Sequence, residues 1–83
     1  MSVANKAFDF VRYILESVCS DTDALSIELV EDDRGQLILV KASKDDMGKI
    51  IGKGGSTVSA LRTLITNISA RENTRVSLKV EEL

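Results

Sequence analysis

The sequence predicts an α+β domain with the element order helix, strand, strand, helix, helix, strand. Three observations predict it. Apolar residues recur every three or four positions in two long stretches, and they alternate or run at strand length in three others. A glycine-rich interruption, IIGKGGSTV at residues 50–58, sits between two segments of helical character. The chain of 83 residues has material for one domain, 1–83, with one thin core, which leaves little room for a large catalytic cleft.

The first helix is expected over 3–19. Ala4, Ala7, Phe8, Val11, Ile14, Leu15 and Val18 fall on one stripe, with Phe10 at its edge and Tyr13 pointing away. Asp21, Thr22 and Asp23 break the pattern. Residues 25–31 alternate, with Leu25, Ile27 and Leu29 on one side. The DDRG turn follows, then the apolar run 36–41, and the pair reads as a β-hairpin. Ser43 and Asp46 have the spacing of a capping box. The serine hydroxyl would accept from a main-chain N–H three residues on, and Asp46 would reach back. A short helix is therefore expected from Lys44 to just before Gly52. Val58, Leu61, Ile65 and Ile68 predict another over 56–70, and Val76, Leu78 and Val80 a strand over 75–81.

Composition narrows the function. There is no histidine, which removes the commonest general base and metal ligand together. No Cys/His cluster suits zinc, and neither cofactor nor metal is expected. The candidates for an acid, a base and a nucleophile are scattered, so no catalytic residue is assigned and an enzyme is the least favoured class. No apolar run of 18 residues exists, which predicts no membrane span. The opening MSVANKAFDF lacks the pattern of a secretory signal, and a lone Cys19 fits a reducing compartment. A cytoplasmic protein is expected.

The net charge of −2 conceals a gradient. Residues 1–40 hold three basic and eight acidic side chains. Residues 41–62 hold Lys41, Lys44, Lys49, Lys53 and Arg62 against Asp45 and Asp46. Positive charge thus gathers around the glycines. A local field of this kind is enough for an anionic partner, because charges beyond about 8 Å are largely screened at physiological salt.

Gly52 and Gly55 permit a turn that other residues adopt only under strain, and Gly54 leaves the main chain open to a ligand. A helix starting near Ser56 would aim unpaired N–H groups at this loop, and such an end holds phosphate readily. Lys53 adds a mobile charge at the tip. Other phosphate loops fit worse. The nucleoside-triphosphate loop needs four residues between its first glycine and the Gly-Lys pair, but Gly48 and Gly52 have three between them, and Gly54 follows Lys53. A dinucleotide fingerprint would need glycine where Thr57 stands. A plain helix–helix turn with a solvated lysine is the alternative, but one glycine would serve for that.

Ile50, Ile51, the Gly52-Lys53-Gly54-Gly55 loop and Val58 resemble the signature of KH domains, and the element order is similar to the type II KH fold. The longer stretch DDMGKIIGKGGSTVSALRTLI is closer still to the small single-domain bacterial KH proteins of the KhpA type: Asp46, Met47, Gly48, Lys49, Arg62, Thr63 and Leu64 match. The resemblance covers nearly the whole chain. It implies a three-stranded sheet with the helices packed on one face, and a clamp on about four nucleotides of single-stranded nucleic acid. Gly52, Lys53, Gly54 and Gly55 would hold phosphates. Ile50, Ile51 and Val58 would form or brace an apolar groove wall, with Ile51 and Val58 read foremost as core anchors. Lys49 and Arg62 would add phosphate contacts, and Lys41 and Lys44 weaker ones. Phe8, Phe10 and Tyr13 are far from the loop in sequence, so base stacking on aromatics is not expected. Binding would be weak and salt-sensitive, on the order of micromolar or weaker.

The resemblance further implies a homodimer, a larger KH partner of the KhpB or Jag type, RNA chaperone activity and a link to cell division and shape. The loop with its flanking helices, or a patch at Phe10 and Tyr13, would be the pairing surface. The rival function is therefore a dimerisation module with weak or vestigial RNA binding. Replacing Gly52 should harm the fold most. Lys53→Asp with Gly54→Asp should be tolerated on the condition that Gly54 does not need positive φ.

Overall fold

The first helix, α1, spans Lys6–Val18, and the strands β1 (Ser26–Asp32) and β2 (Gly35–Ala42) follow as an antiparallel hairpin. The structure is a computed structural model that describes residues 6–71 and 74–82. Ser26 pairs with Lys41 and Asp32 with Gly35, so the turn itself is the two residues Asp33 and Arg34. That is shorter than the four-residue turn the sequence suggested. The Asp32 Oδ1 accepts from the Arg34 N–H at 2.8 Å, a side-chain substitute for a main-chain turn bond that tightens the connection.

The short helix α2 (Lys44–Ile51) follows, then a single 3₁₀ turn at Lys53–Gly55, then α3 (Ser56–Arg71) and β3 (Val76–Glu82). The sheet order is β1-β2-β3. β3 pairs with β2 in parallel, Gln36 opposite Val76. A parallel pair needs a long crossover, and the two helices with the glycine loop between them are that crossover. The order predicted from the sequence is the observed one, and the fold is α+β with helices on one face of the sheet. β2 shows this directly. Gln36, Ile38, Val40 and Ala42 are buried, while Leu37, Leu39 and Lys41 between them are partly exposed on the outer face. The core joins Val11 and Leu15 of α1, Ile38 and Val40 of β2, Ile50 of α2 and Ile65 of α3.

The α1 stripe needs one correction. Val18 is exposed, and Cys19 just past the helix end is buried in its place. Ala7, Val11 and Leu15 step by four, and the next step of four lands on Cys19, whose N–H donates to the Leu15 carbonyl at 2.9 Å. Ala4 lies outside the described residues. Tyr13 is exposed, as expected.

The capping box is half right. Ser43 Oγ accepts from the Asp46 N–H at 3.4 Å, but Asp46 does not reach back. Its carboxylate is buried and accepts from the N–H groups of Ser20 and Asp21 at 2.9 Å each, which ties the end of α1 to the start of α2. Those two main-chain bonds hold the Asp46 pKa below the ordinary aspartate value; burial opposes them and Lys49 adds to them. The folded pKa lies below the unfolded one, so the stabilisation is complete above the unfolded value and is lost as pH falls through the folded one. Asp46→Asn should lower the melting temperature at neutral pH, because an amide offers one acceptor oxygen to two donors. The gap from the parent should be widest near neutrality and narrow below about pH 4. Thermal denaturation between pH 7 and acid checks this, and a gap that ignores pH would refute the role given to the charge. Burial, helped by Asp46, pushes the Cys19 thiol up, which keeps it protonated and unreactive at neutral pH.

Candidate nucleic-acid interface

Ile50, wholly buried, anchors the last turn of α2 in the core, and the chain then leaves the helix at Gly52. The Gly52 N–H still donates to the Gly48 carbonyl at 3.0 Å, but its backbone has φ 75° and ψ 174°. That combination is open essentially to glycine alone. Space gives the same answer: a Cβ there would overlap the Thr57 hydroxyl and lie 2.8 Å from the Thr57 main-chain nitrogen. Gly54 has φ 64° and ψ 21°, a left-handed helical conformation, and Gly55 has φ 79°. Neither would bring a Cβ within 4 Å of other atoms. The loop therefore uses three positive-φ glycines in four residues, where a plain helix–helix turn needs fewer. Gly54 does adopt positive φ, so the condition set for its easy replacement is not met.

The orphan amides also shift from where the sequence placed them. Gly55 N–H donates to the Gly52 carbonyl at 3.2 Å, and the Ser56 N–H donates to the Lys53 carbonyl. The 3₁₀ turn thus takes up the Ser56 donor. The first amides of a helical turn have no acceptor within it, so Lys53 and Gly54, both exposed, present theirs to solvent. Lys53 places its charge at the same tip.

A second surface lies further along α3. β3 is an edge strand, and a hollow of about 250 Å³ opens between it and α3, lined by Arg62, Ile65, Thr66, Val76, Ser77 and Leu78. Arg62 Nη2 donates to the Leu78 carbonyl at 3.5 Å, so that carbonyl faces outward. The Arg75 carbonyl instead accepts from the Gln36 N–H of β2 at 2.8 Å. Main-chain groups alternate sides along a strand, so Val76, Leu78 and Val80 carry theirs on the open edge.

Residues 8–80 match the model of the KhpA/KhpB KH domain. The chain belongs to this KH-domain family. It is similar to proteins named RNA-binding protein KhpA from several bacteria. One from Chlamydia caviae is 35% identical over 74 residues, covering 89% of this chain and 95% of that protein. One from Mycobacterium bovis is 36% identical over 63 residues, 76% of this chain and 79% of that one. The chlamydial protein of C. trachomatis is 32% identical over 74 residues.

Within this KH domain the predicted site residues separate. Ile50 and Val58 are buried and brace the loop from both sides. Ile51, read from the sequence as a core anchor, is 39% exposed at the foot of the loop. The cause is helical phase: Met47 and Ile50 occupy the inward face of α2, and the next residue turns outward. Lys49 points back toward α1. Its ammonium donates to Ser20 Oγ and lies 3.6 Å from Asp46 Oδ1. Lys44, at the far end of α2, is about 12 Å of helix rise from the loop. Lys41 lies on the outer face of the sheet. Arg62 alone among the flanking cations lines the hollow. The open edge of β3 and Thr66, whose hydroxyl donates to the Arg62 carbonyl at 2.9 Å, are features of the hollow that the sequence reading missed. Among the described residues no group of three His, Cys, Asp or Glu side chains is placed to hold a metal, and no helix is long and apolar enough to cross a membrane.

Proposed function

We propose that this chain, 1–83, is a single KH domain that binds single-stranded RNA without catalysis and serves as an RNA chaperone or post-transcriptional regulator in the cytoplasm. The observation that carries the reading is the exposed Lys53–Gly54 tip, where two free amides and a full positive charge converge with no side chain in the way. In this reading Gly52, Lys53, Gly54 and Gly55 hold the sugar-phosphate backbone and Arg62 adds a phosphate contact. Ile51 supplies apolar contact, and the open edge of β3 offers donors and acceptors to base edges. Ile50 and Val58 keep the loop in shape. Lys49, paired with Asp46, contributes its charge to the field. The names of the chlamydial and mycobacterial relatives support an RNA ligand.

Two to four engaged phosphates give a definite salt dependence. Each displaces about 0.7 of a counterion from a single strand. Affinity for a short oligouridylate should therefore fall roughly seven- to fifty-fold between about 50 and 200 mM salt. A fluorescence titration at both concentrations measures it, and binding indifferent to salt would count against a phosphate clamp.

A second reading has its own observation. Ile51 and Leu64 are exposed large apolar residues on the two helices that flank the loop. They suit a protein–protein contact, either a homodimer or a heteromer with a larger KhpB- or Jag-type KH protein. Such pairing would raise RNA avidity without new contacts, and it would connect the domain to cell division and shape.

A further inference from the structure

Three shallow hollows share lining residues around the start of β3. The first is the one between α3 and β3. The second, about 320 Å³, is lined by Thr66, Ser69, Ala70, Thr74, Arg75 and Val76, and so shares Thr66 and Val76 with the first. The third, about 270 Å³, lies where the hairpin turn meets the start of β3. It takes in Asp32, Arg34, Leu37, Arg75 and Ser77, and so shares Arg75 with the second and Ser77 with the first. Their order follows from the topology. β3 starts beside the hairpin end of β2, so α3 runs from the glycine loop toward that end. Leaving the loop, a strand would meet Arg62, then Thr66, then Arg75, then Arg34.

Among the described residues no carboxylate lines the first two hollows. Thr66, Ser69, Thr74 and Ser77 do, with the hydroxyls of Thr66 and Ser69 already donating to the Arg62 and Thr66 carbonyls. The one carboxylate in the third, Asp32, is already occupied by Arg34, whose N–H it accepts at 2.8 Å and whose guanidinium is 3.6 Å away. Arg75 stands on a fixed base. Its carbonyl is bonded to Gln36 of the central strand, and next to it the Thr74 N–H donates to the Ser69 carbonyl at 2.9 Å. Arg75 is exposed, one residue before the first paired position of β3. A planar, always-charged guanidinium on a rigid mount suits a phosphate diester.

We propose that single-stranded RNA held at the glycine loop continues past the α3–β3 groove along these hollows, and that Arg75, with Arg34 beyond it, holds the backbone of the additional nucleotides. The inference rests on the RNA-binding reading above and lengthens its footprint beyond four nucleotides.

Oligouridylates of four and eight nucleotides test it, titrated by fluorescence anisotropy into the parent and into Arg34→Ala/Arg75→Ala at one salt concentration. An octamer offers a four-nucleotide site five registers, so counting alone improves affinity about five-fold. The parent should gain about fifty-fold from tetramer to octamer. The variant should keep the tetramer affinity within about two-fold and return to the five-fold gain. Amide resonances of Arg34 and Arg75 should shift with octamer and stay still with tetramer. A variant that retains the parent's gain overturns the inference, as does a stoichiometry of two chains per octamer. A parent that binds both lengths with only a five-fold gain removes the track and leaves the RNA reading standing. A parent that binds neither removes both.

Discussion

Gly52→Ala should destabilise the domain by about 3 kcal/mol or more, and Gly52→Asp by at least as much. Two effects add. The φ of 75° with ψ of 174° lies in a region that side chains of L-residues reach only under strain, of order 1–3 kcal/mol. The new Cβ would also meet the Thr57 main-chain nitrogen at 2.8 Å and its hydroxyl more closely still, and main-chain atoms at the start of α3 cannot step aside without moving the helix. In a domain of this size each kcal/mol moves the melting temperature by roughly 4–8 °C. Gly54→Ala is the matched control. It is also a positive-φ position, but its Cβ meets nothing and its conformation is the ordinary left-handed one. It should cost only about 1–2 kcal/mol. Urea or thermal unfolding of the three proteins separates the contributions. If Gly52→Ala and Gly54→Ala were equally mild, the packing of Thr57 over Gly52 would not be holding the loop.

Much of this arrangement is legible in the sequence. The periodicities of 56–70 and 75–81 placed α3 and β3 within a residue or two, because each has one strongly apolar face to bury. Ser43 marked the start of α2 and Gly52 its end. What escaped the sequence depends on partners distant along the chain. Asp46 has the spacing of a local cap, yet its carboxylate is taken by Ser20 and Asp21, 26 and 25 residues away. The same long-range turn draws Lys49 away from the glycine loop, where charge counting had placed it. Ile51 looked like half of an apolar pair anchoring the loop, but an eight-residue helix has one inward face and Ile50 fills it. The open edge of β3 was invisible for another reason: alternation reveals a strand, and only pairing reveals which strand is left without a neighbour. Cys19 escaped because the helix ends before it while the stripe continues.

Lys53→Asp/Gly54→Asp should reduce affinity for single-stranded RNA at least tenfold, equivalent to about 1.4 kcal/mol or more, while the domain remains folded. The pair of changes replaces the attracting charge at the tip with two repelling ones, at the place where the free amides of Lys53 and Gly54 emerge. The fold should survive with a modest loss. Lys53 is exposed, and aspartate is among the few side chains that enter the left-handed region readily, so the strain at Gly54 amounts to about 1 kcal/mol. Circular dichroism should show parent-like helix content with a melting temperature lower by several degrees. Sizing of the same samples then divides the two functions assigned to this surface. A variant that keeps the parent's oligomeric state and loses RNA locates the RNA site at the tip and any pairing elsewhere, on Ile51 and Leu64 or beyond. A variant that loses both ties RNA affinity to pairing, because one copy engaging so few phosphates binds weakly and a second copy multiplies that affinity through proximity alone. A folded variant that binds RNA as tightly as the parent would remove the glycine loop from the interface altogether, since no phosphate clamp tolerates three units of added negative charge at its centre.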